Sequence, residues 1–177
     1  MAVNTYWATK YFRDSNNVAL QTIPVCRPGE MKVWEDTLVI AAATSGLGTL
    51  QAIANDLLKL ARMPGGHYPI QLDFYAGDLD SGTVLRVDFG TTANPDLLAA
   101  ALDIDTAGGY VMPAAADILQ SLNEAIPSDP YDILGTITTA ANGNVFTAAT
   151  CYFRLTYAAP AGGFDPSDAP AAVTANQ

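Results

Sequence analysis

A chain of 177 residues is long enough to bury one proper core. Its formal net charge of -10, with only 8 Lys and Arg, excludes nucleic acid as an expected partner, because holding a phosphate backbone takes clustered cations that displace counterions. Charged residues make up 15% of the chain, against roughly 25% in an average soluble protein; a surface this poor in charge favours burial against other subunits, since interface centres are depleted in charge.

Residues 1–16 mix Tyr6, Trp7, Tyr11 and Phe12 with Lys10, Arg13 and Asp14 without a clean period, so they read as an N-terminal arm or an edge strand. No apolar run of signal-peptide type stands there, and the expectation is folding in a cytoplasm. Val18 to Val25 alternates well enough for a strand and is closed by the turn residues Arg27-Pro28-Gly29-Glu30. Thr37 to Ala43 reads as a second strand. The uncharged stretch from Thr37 to Asn55 has about membrane length, but Thr44, Ser45, Gly46, Gly48, Thr49 and Gln51 make it too polar to span one. Between Leu50 and Ala61 two periods compete. Leu50, Ile53, Leu57 and Ala61 suit a helix face, which is the stronger local reading; Leu58 and Leu60 running into Pro64-Gly65-Gly66 suit a strand.

Tyr68, Ile70, Leu72 and Phe74 alternate with Gln71 and Asp73, and the alternation resumes with Leu85, Val87 and Phe89 opposite Arg86 and Asp88. With the turn residues Gly77 to Gly82 between them, these two runs predict an antiparallel hairpin. Asn94-Pro95-Asp96 is a helix start, and Leu97 to Leu102 a short Ala-rich helix stopped by Ala107-Gly108-Gly109. Tyr110-Val111-Met112 leads into Pro113 to Ile126, which suits a helix or an extended connection. Ile133 to Thr139, the turn Ala141-Asn142-Gly143-Asn144, and Val145 to Tyr157 read as a second hairpin, with Phe153, Leu155 and Tyr157 on one face. Residues 158–177 are rich in Ala, Pro and Gly and offer Phe164 and Val173 as their large apolar anchors. Such a segment cannot build a core of its own and is expected to be an arm on a neighbouring subunit. The domain proper then spans 17–157.

Chemistry is thin along the chain. His67 is the single histidine, set in Gly65-Gly66-His67-Tyr68-Pro69, and reads as a solvated turn residue. Cys26 and Cys151 are too few for a disulfide framework and too far apart for a zinc knuckle, so two buried, unbridged thiols are expected. Asp78-Leu79-Asp80-Ser81-Gly82 is similar to the opening of a calcium loop but lacks the third acidic ligand, the glycine at the sixth place and the distant Glu. A turn is the reading, with weak calcium binding as the alternative. Gly46-Leu47-Gly48 lacks the third glycine and downstream acid of a dinucleotide site. Without a nucleophile elbow or a paired acid and base, no enzyme, metal or cofactor is expected.

From Asn55 to Tyr157 the order of motifs resembles a family of tailed-bacteriophage virion proteins, head decoration or minor structural proteins. The matching elements are the strand Asp56-Leu57-Leu58-Lys59-Leu60, the turn Pro64-Gly65-Gly66, the Asp78 to Gly82 turn, the strand ending Asp88-Phe89-Gly90, the Pro95 to Gly109 segment, and the Thr-rich pair Ile133 to Tyr157. The resemblance implies a strand in place of the helix over 55–61. It further implies an all-β fold, an antiparallel β-sandwich of jelly-roll type with one short helix and extended terminal arms. The implied role is non-enzymatic: a capsid decoration or cement protein on the virion, partnered by the major capsid protein and by copies of itself. The assembly contacts would then be Tyr6, Trp7, Tyr11, Phe12, Phe164 and Val173. A host-surface glycan-binding module is the alternative, drawn from the N-terminal aromatics. The N-terminal third and the Pro/Ala tail depart from the family pattern, which leaves the mode of attachment open.

Overall fold

Alternation of apolar and polar side chains makes strands nearly all of the regular secondary structure among the described residues. The computed structural model describes residues 5–9, 22–41, 52–80, 82, 84–113 and 127–159. Within them run β1 (Thr5–Trp7), β2 (Met31–Ile40), β3 (Leu57–Met63), β4 (Tyr68–Ala76), β5 (Arg86–Thr91), β6 (Ala99–Asp103), β7 (Gly108–Pro113), β8 (Tyr131–Thr139) and β9 (Ala149–Ala158). They form two sheets, ordered β1-β3-β8-β5-β6 and β2-β9-β4-β7.

The pairing is nested. β2 pairs with β9, β3 with β8, β4 with β7 and β5 with β6, all antiparallel. That is one long two-stranded ribbon whose tip is the β5–β6 turn, and its successive rungs fall alternately on the two sheets. The lateral pairs β4–β9 and β5–β8 lock the roll. Rolled ribbons of this kind are jelly-roll sandwiches, so the expected fold class holds.

Three local expectations do not. The run Tyr68–Phe74 and the run Leu85–Phe89 are not a hairpin: β4 and β5 lie in opposite sheets, as do β8 and β9. Period-two patterning identifies a half-buried strand but carries no information on its partner. The Leu97–Leu102 helix is absent. Asn94 instead caps a tight turn, with the Thr91 N–H donating to the Asn94 carbonyl at 2.8 Å and the Leu98 N–H to that of Phe89 at 2.8 Å, and Ala99–Asp103 pairs with β5 as β6. Ladder hydrogen bonds override a weak helix propensity. Finally, the part of Val18–Val25 within the described residues is irregular, although the Ile23 N–H donates to the Arg62 carbonyl at 2.8 Å; Pro24 has no N–H with which to continue a ladder. The competing readings at 55–61 resolve to strand β3, and β2 starts six residues before the expected Thr37. The connection after Pro113 and the tail after Ala159 lie outside the described residues.

The core fills the space between the sheets with Leu38, Ile40, Leu58, Leu72, Phe74, Val87, Phe89, Ile137, Leu155 and Tyr157, each almost wholly buried. Each contributes roughly 1.5–3 kcal/mol by leaving water. Phe74 and Phe89 meet across the sandwich with ring centroids 5.1 Å apart. One side of the roll is stitched shut by the N-terminal segment. β1 lies parallel to β3, the Ala8 N–H donates to Lys59 O at 2.9 Å, and one residue later the Thr9 N–H donates to Thr37 O of β2 at 2.8 Å.

A candidate assembly surface on the four-stranded sheet

The outer face of the β2-β9-β4-β7 sheet is built by alternate residues of each strand. Register places Glu35 beside Arg154, Arg154 beside Asp73 and Asp73 beside Val111 in one rung. The next rung runs Thr37, Tyr152, Tyr75, Gly109. Their neighbours one residue along, such as Leu38, Phe153 and Phe74, point into the core. Arg154 grips Asp73 through two N–H donors on one carboxylate oxygen, Nε at 2.8 Å and Nη2 at 2.6 Å, and Gln71 donates to the other oxygen at 2.6 Å. Thr9 closes the β2 edge, its hydroxyl 2.8 Å from that of Thr37.

These rungs line a shallow groove of about 690 Å³. Tyr75 and Tyr152 are 52% and 55% exposed and directly opposed across two strands. Of the eight large hydrophobic side chains exposed among the described residues, five stand on this face: Met31, Val33, Tyr75, Val111 and Tyr152. That concentration separates it from ordinary surface, where exposed apolar side chains are scattered singly. The five-stranded sheet differs. There Lys59 and Arg62 are ion-paired to Asp132 at 2.7 and 3.3 Å, the Lys59 ammonium lies 5.1 Å from the centre of the Trp7 ring, and Trp7 and Leu134 are buried.

Two of the residues singled out from sequence, Tyr6 and Trp7, lie elsewhere. Tyr6 is fully buried and meets Phe146 edge-on at 5.1 Å; Trp7 is 8% exposed. Both rings are committed to this chain's own packing and cannot stack on a sugar. Tyr11, Phe12, Phe164 and Val173 lie outside the described residues. Tyr75 and Tyr152 were missed, although a signal existed: each follows or precedes a core Phe in an alternating strand, which sends a large aromatic ring to the polar face.

The solvated reading of His67 is corrected. It is 5% exposed, its Nε2 accepts the Cys26 N–H at 2.8 Å, and Nδ1, the protonated nitrogen in that arrangement, donates to Gly65 O at 2.9 Å. The ring is a neutral bridge between two turns. Both thiols are free and buried. Burial pushes the Cys26 thiol up, and it pushes Cys151 up to about 11. Cys26 Sγ touches the Tyr157 carbonyl at 3.9 Å, six residues along β9 from Cys151 and so roughly 20 Å away at strand rise, beyond disulfide reach. Asp80 stands in a turn, its Oδ1 accepting the N–H groups of Gly82 and Asn142, each at 2.9 Å. Among the described residues no group of three or more His, Cys, Asp or Glu is placed to hold a metal ion.

No protein-family model and no curated protein matches the sequence. Solved structures do share its fold. A chain from the capsid of Ralstonia phage GP4 superposes with a TM-score of 0.60 at 16% identity, over 78% of this chain and 90% of that one. A chain from the cyanophage Pam1 capsid asymmetric unit superposes with a TM-score of 0.53 at 15% identity, over 83% of this chain and 97% of that one. In both, the shared sandwich is nearly the whole of the other chain.

Proposed function

We propose that this chain is a non-enzymatic structural protein of a bacteriophage virion, and within that class a capsid decoration or cement protein that stabilises the head shell through subunit contacts. The observation that carries the reading is the overlap of its jelly roll with almost the entire length of two chains taken from phage capsids. The low charge of the sequence and the apolar groove of the four-stranded sheet support the same reading, because both suit lateral burial. The partners are the major capsid protein and neighbouring copies of this chain, and the C-terminal segment from residue 160, with Phe164 and Val173, serves as an assembly arm, as do Tyr11 and Phe12.

Adding the purified chain to head shells that lack it, and sedimenting the mixture, tests this. Saturable binding that raises the shell's melting temperature is expected. A chain ending at Ala159 should melt within about 2 °C of the full chain, since the core closes at β9, yet occupy fewer sites. Absence of binding at micromolar concentration refutes the capsid role.

A further inference from the structure

We propose that Asn142 is a site of spontaneous covalent modification, in which the Gly143 nitrogen displaces the Asn142 side-chain amide, and that the Asp80 carboxylate sets its pace. The chemistry is independent of the capsid reading. The Gly143 nitrogen attacks Asn142 Cγ and gives its proton to solvent base. The Cγ–Nδ2 bond breaks, and Nδ2 leaves as ammonia after taking a proton from water. One water molecule then opens the five-membered imide at either carbonyl, giving aspartate or the isomer linked through its side chain. Amide plus water becomes carboxylate plus ammonium, and nothing is oxidised or reduced.

Asn142-Gly143 is the one Asn-Gly pair in the sequence. Both residues are exposed on the connection between β8 and β9, so solvent reaches the reacting atoms. Gly143 takes a φ of 68°, and a Cβ built on it would meet nothing within 4 Å. The attacking nitrogen is thus unhindered, and glycine has the rotational freedom that ring closure needs. Neighbouring chemistry disfavours the other asparagines of the described residues. Asn94 precedes Pro95, which has no N–H; Asn55 precedes Asp56, whose N–H is engaged with Ile53 O at 3.1 Å; Asn144 precedes the β-branched Val145.

Asp80 enters because the folded turn is not the reactive shape. Asn142–Asn144 is a single 3₁₀ turn, whose helical backbone at Asn142 turns the next nitrogen away from Cγ, whereas attack requires the two atoms to meet at roughly 3–3.5 Å. The turn must open first. Asp80, 2% exposed, holds it closed by accepting the Asn142 N–H on Oδ1 at 2.9 Å. The Asn142 side chain is packed along Gly82, where an added Cβ would stand 2.7 Å from its Cβ and 3.4 Å from Nδ2. Reaction therefore proceeds through the small open fraction that this joint allows. The product acts back on the joint: it sets a new carboxylate beside that of Asp80, a like charge, and its isomer lengthens the backbone between β8 and β9 by one carbon.

The full chain is incubated at mildly alkaline pH for several weeks and its peptides are weighed and fragmented at intervals, folded and in strong urea, beside Asn142→Gln and Asp80→Asn. The peptide holding Asn142 should gain about one dalton, as an amide becomes an acid, with aspartyl and isoaspartyl forms both present. Peptides holding Asn55 and Asn94 should not change, and Asn142→Gln should abolish the gain. The folded chain should react about tenfold more slowly than the chain in urea, with Asp80→Asn in between. In wild type, exchange of the Asn142 N–H and the mass gain should accelerate in parallel as sub-denaturing urea is raised, a readout that stands even where Asp80→Asn does not fold. Asn142→Asp, the product's sequence, should have a lower denaturation midpoint than wild type. A folded chain that gains no mass at Asn142 while the urea-treated chain does, or equal gain at Asn55 or Asn94, overturns the site. Equal rates in folded wild type and urea, or a mass gain that does not follow exchange of the Asn142 N–H, overturn the control by Asp80.

Discussion

Asp80 joins two turns that lie 62 residues apart in the chain. One oxygen of its carboxylate takes the N–H of Gly82 and the N–H of Asn142, and Gly82 is the residue that fits, since a Cβ there would come within 2.7 Å of Asn142 Cβ. Burial works against the carboxylate, but the N–H groups of Gly82, Asn142, Val84 and Leu85 outweigh it and hold Asp80 below the usual carboxylate range. A depressed value means that the stability it lends is fully present above the unfolded Asp value of roughly 3.9 and is lost as pH falls through the folded value. Asp80→Ala leaves two inward-facing donors without their charged acceptor, a loss of about 1.5–3 kcal/mol at pH 7. Asp80→Asn, which keeps the shape without the charge, should lose less. Denaturant melts from pH 7 downward check this: the deficit of Asp80→Asn should shrink as pH falls below about 4, where the unfolded chain takes up its proton while the folded carboxylate still resists one, and a deficit constant with pH refutes it. The sequence announced a turn at Asp78 to Gly82, and that was legible because Asp and Gly carry their turn chemistry locally. The role of His67 was not, because nothing near it in sequence says that Cys26 brings an N–H in need of an acceptor.

At the scale of elements, strand existence was readable and strand partnership was not. Leu85, Val87 and Phe89 alternate and are all buried, as their spacing required. The Ala-rich run after Asn94-Pro95-Asp96 misled because its helix signals are local, whereas the exposed ladder of β5 waiting beside it is not. β6 meets β5 through a bulge: Ala100 and Ala101 together oppose Asp88, Ala101 takes a positive φ of 47°, and its N–H donates to the Asp88 carboxylate at 2.6 Å. The turn above folds onto Gly90 so closely that a Cβ there would overlap the carbonyl oxygens of Asn94 and Pro95 and sit 2.7 Å from the Leu97 nitrogen. All three are backbone atoms and cannot rotate away. Gly90→Ala should therefore cost about 1–3 kcal/mol, read as a lower denaturation midpoint. Gly109→Ala, whose added Cβ meets Tyr75 Cδ2 at an ordinary 3.7 Å, should stay within about 0.5 kcal/mol of wild type. Equal losses at the two glycines would refute the close approach at Gly90.

For the whole molecule, composition and alternation pointed to a sandwich, and the candidate assembly face was hidden because it exists only when β9 is laid between β2 and β4, which brings Tyr152, Tyr75, Glu35 and Arg154 from three distant stretches into two rungs. The nesting of strand pairs also sets the order in which the chain can acquire its structure. Of the strands paired along the ribbon, only β5 and β6 are close in sequence; each further rung closes a longer loop, up to the outermost pairing of Met31 with Ala158. Loop-closure entropy grows with separation, so the cheapest nucleus is the ribbon tip, with the remaining rungs zipping outward and β2 docking last. High contact order of this kind places folding in the range of milliseconds to seconds. Stopped-flow refolding then separates two substitutions by where they fall on the ribbon. Gly90→Ala, at the tip, should slow folding with little change in unfolding, while Leu155→Ala, in the outermost rung, should leave folding nearly unchanged and accelerate unfolding. The reverse partition would mean that the ribbon closes from its open end.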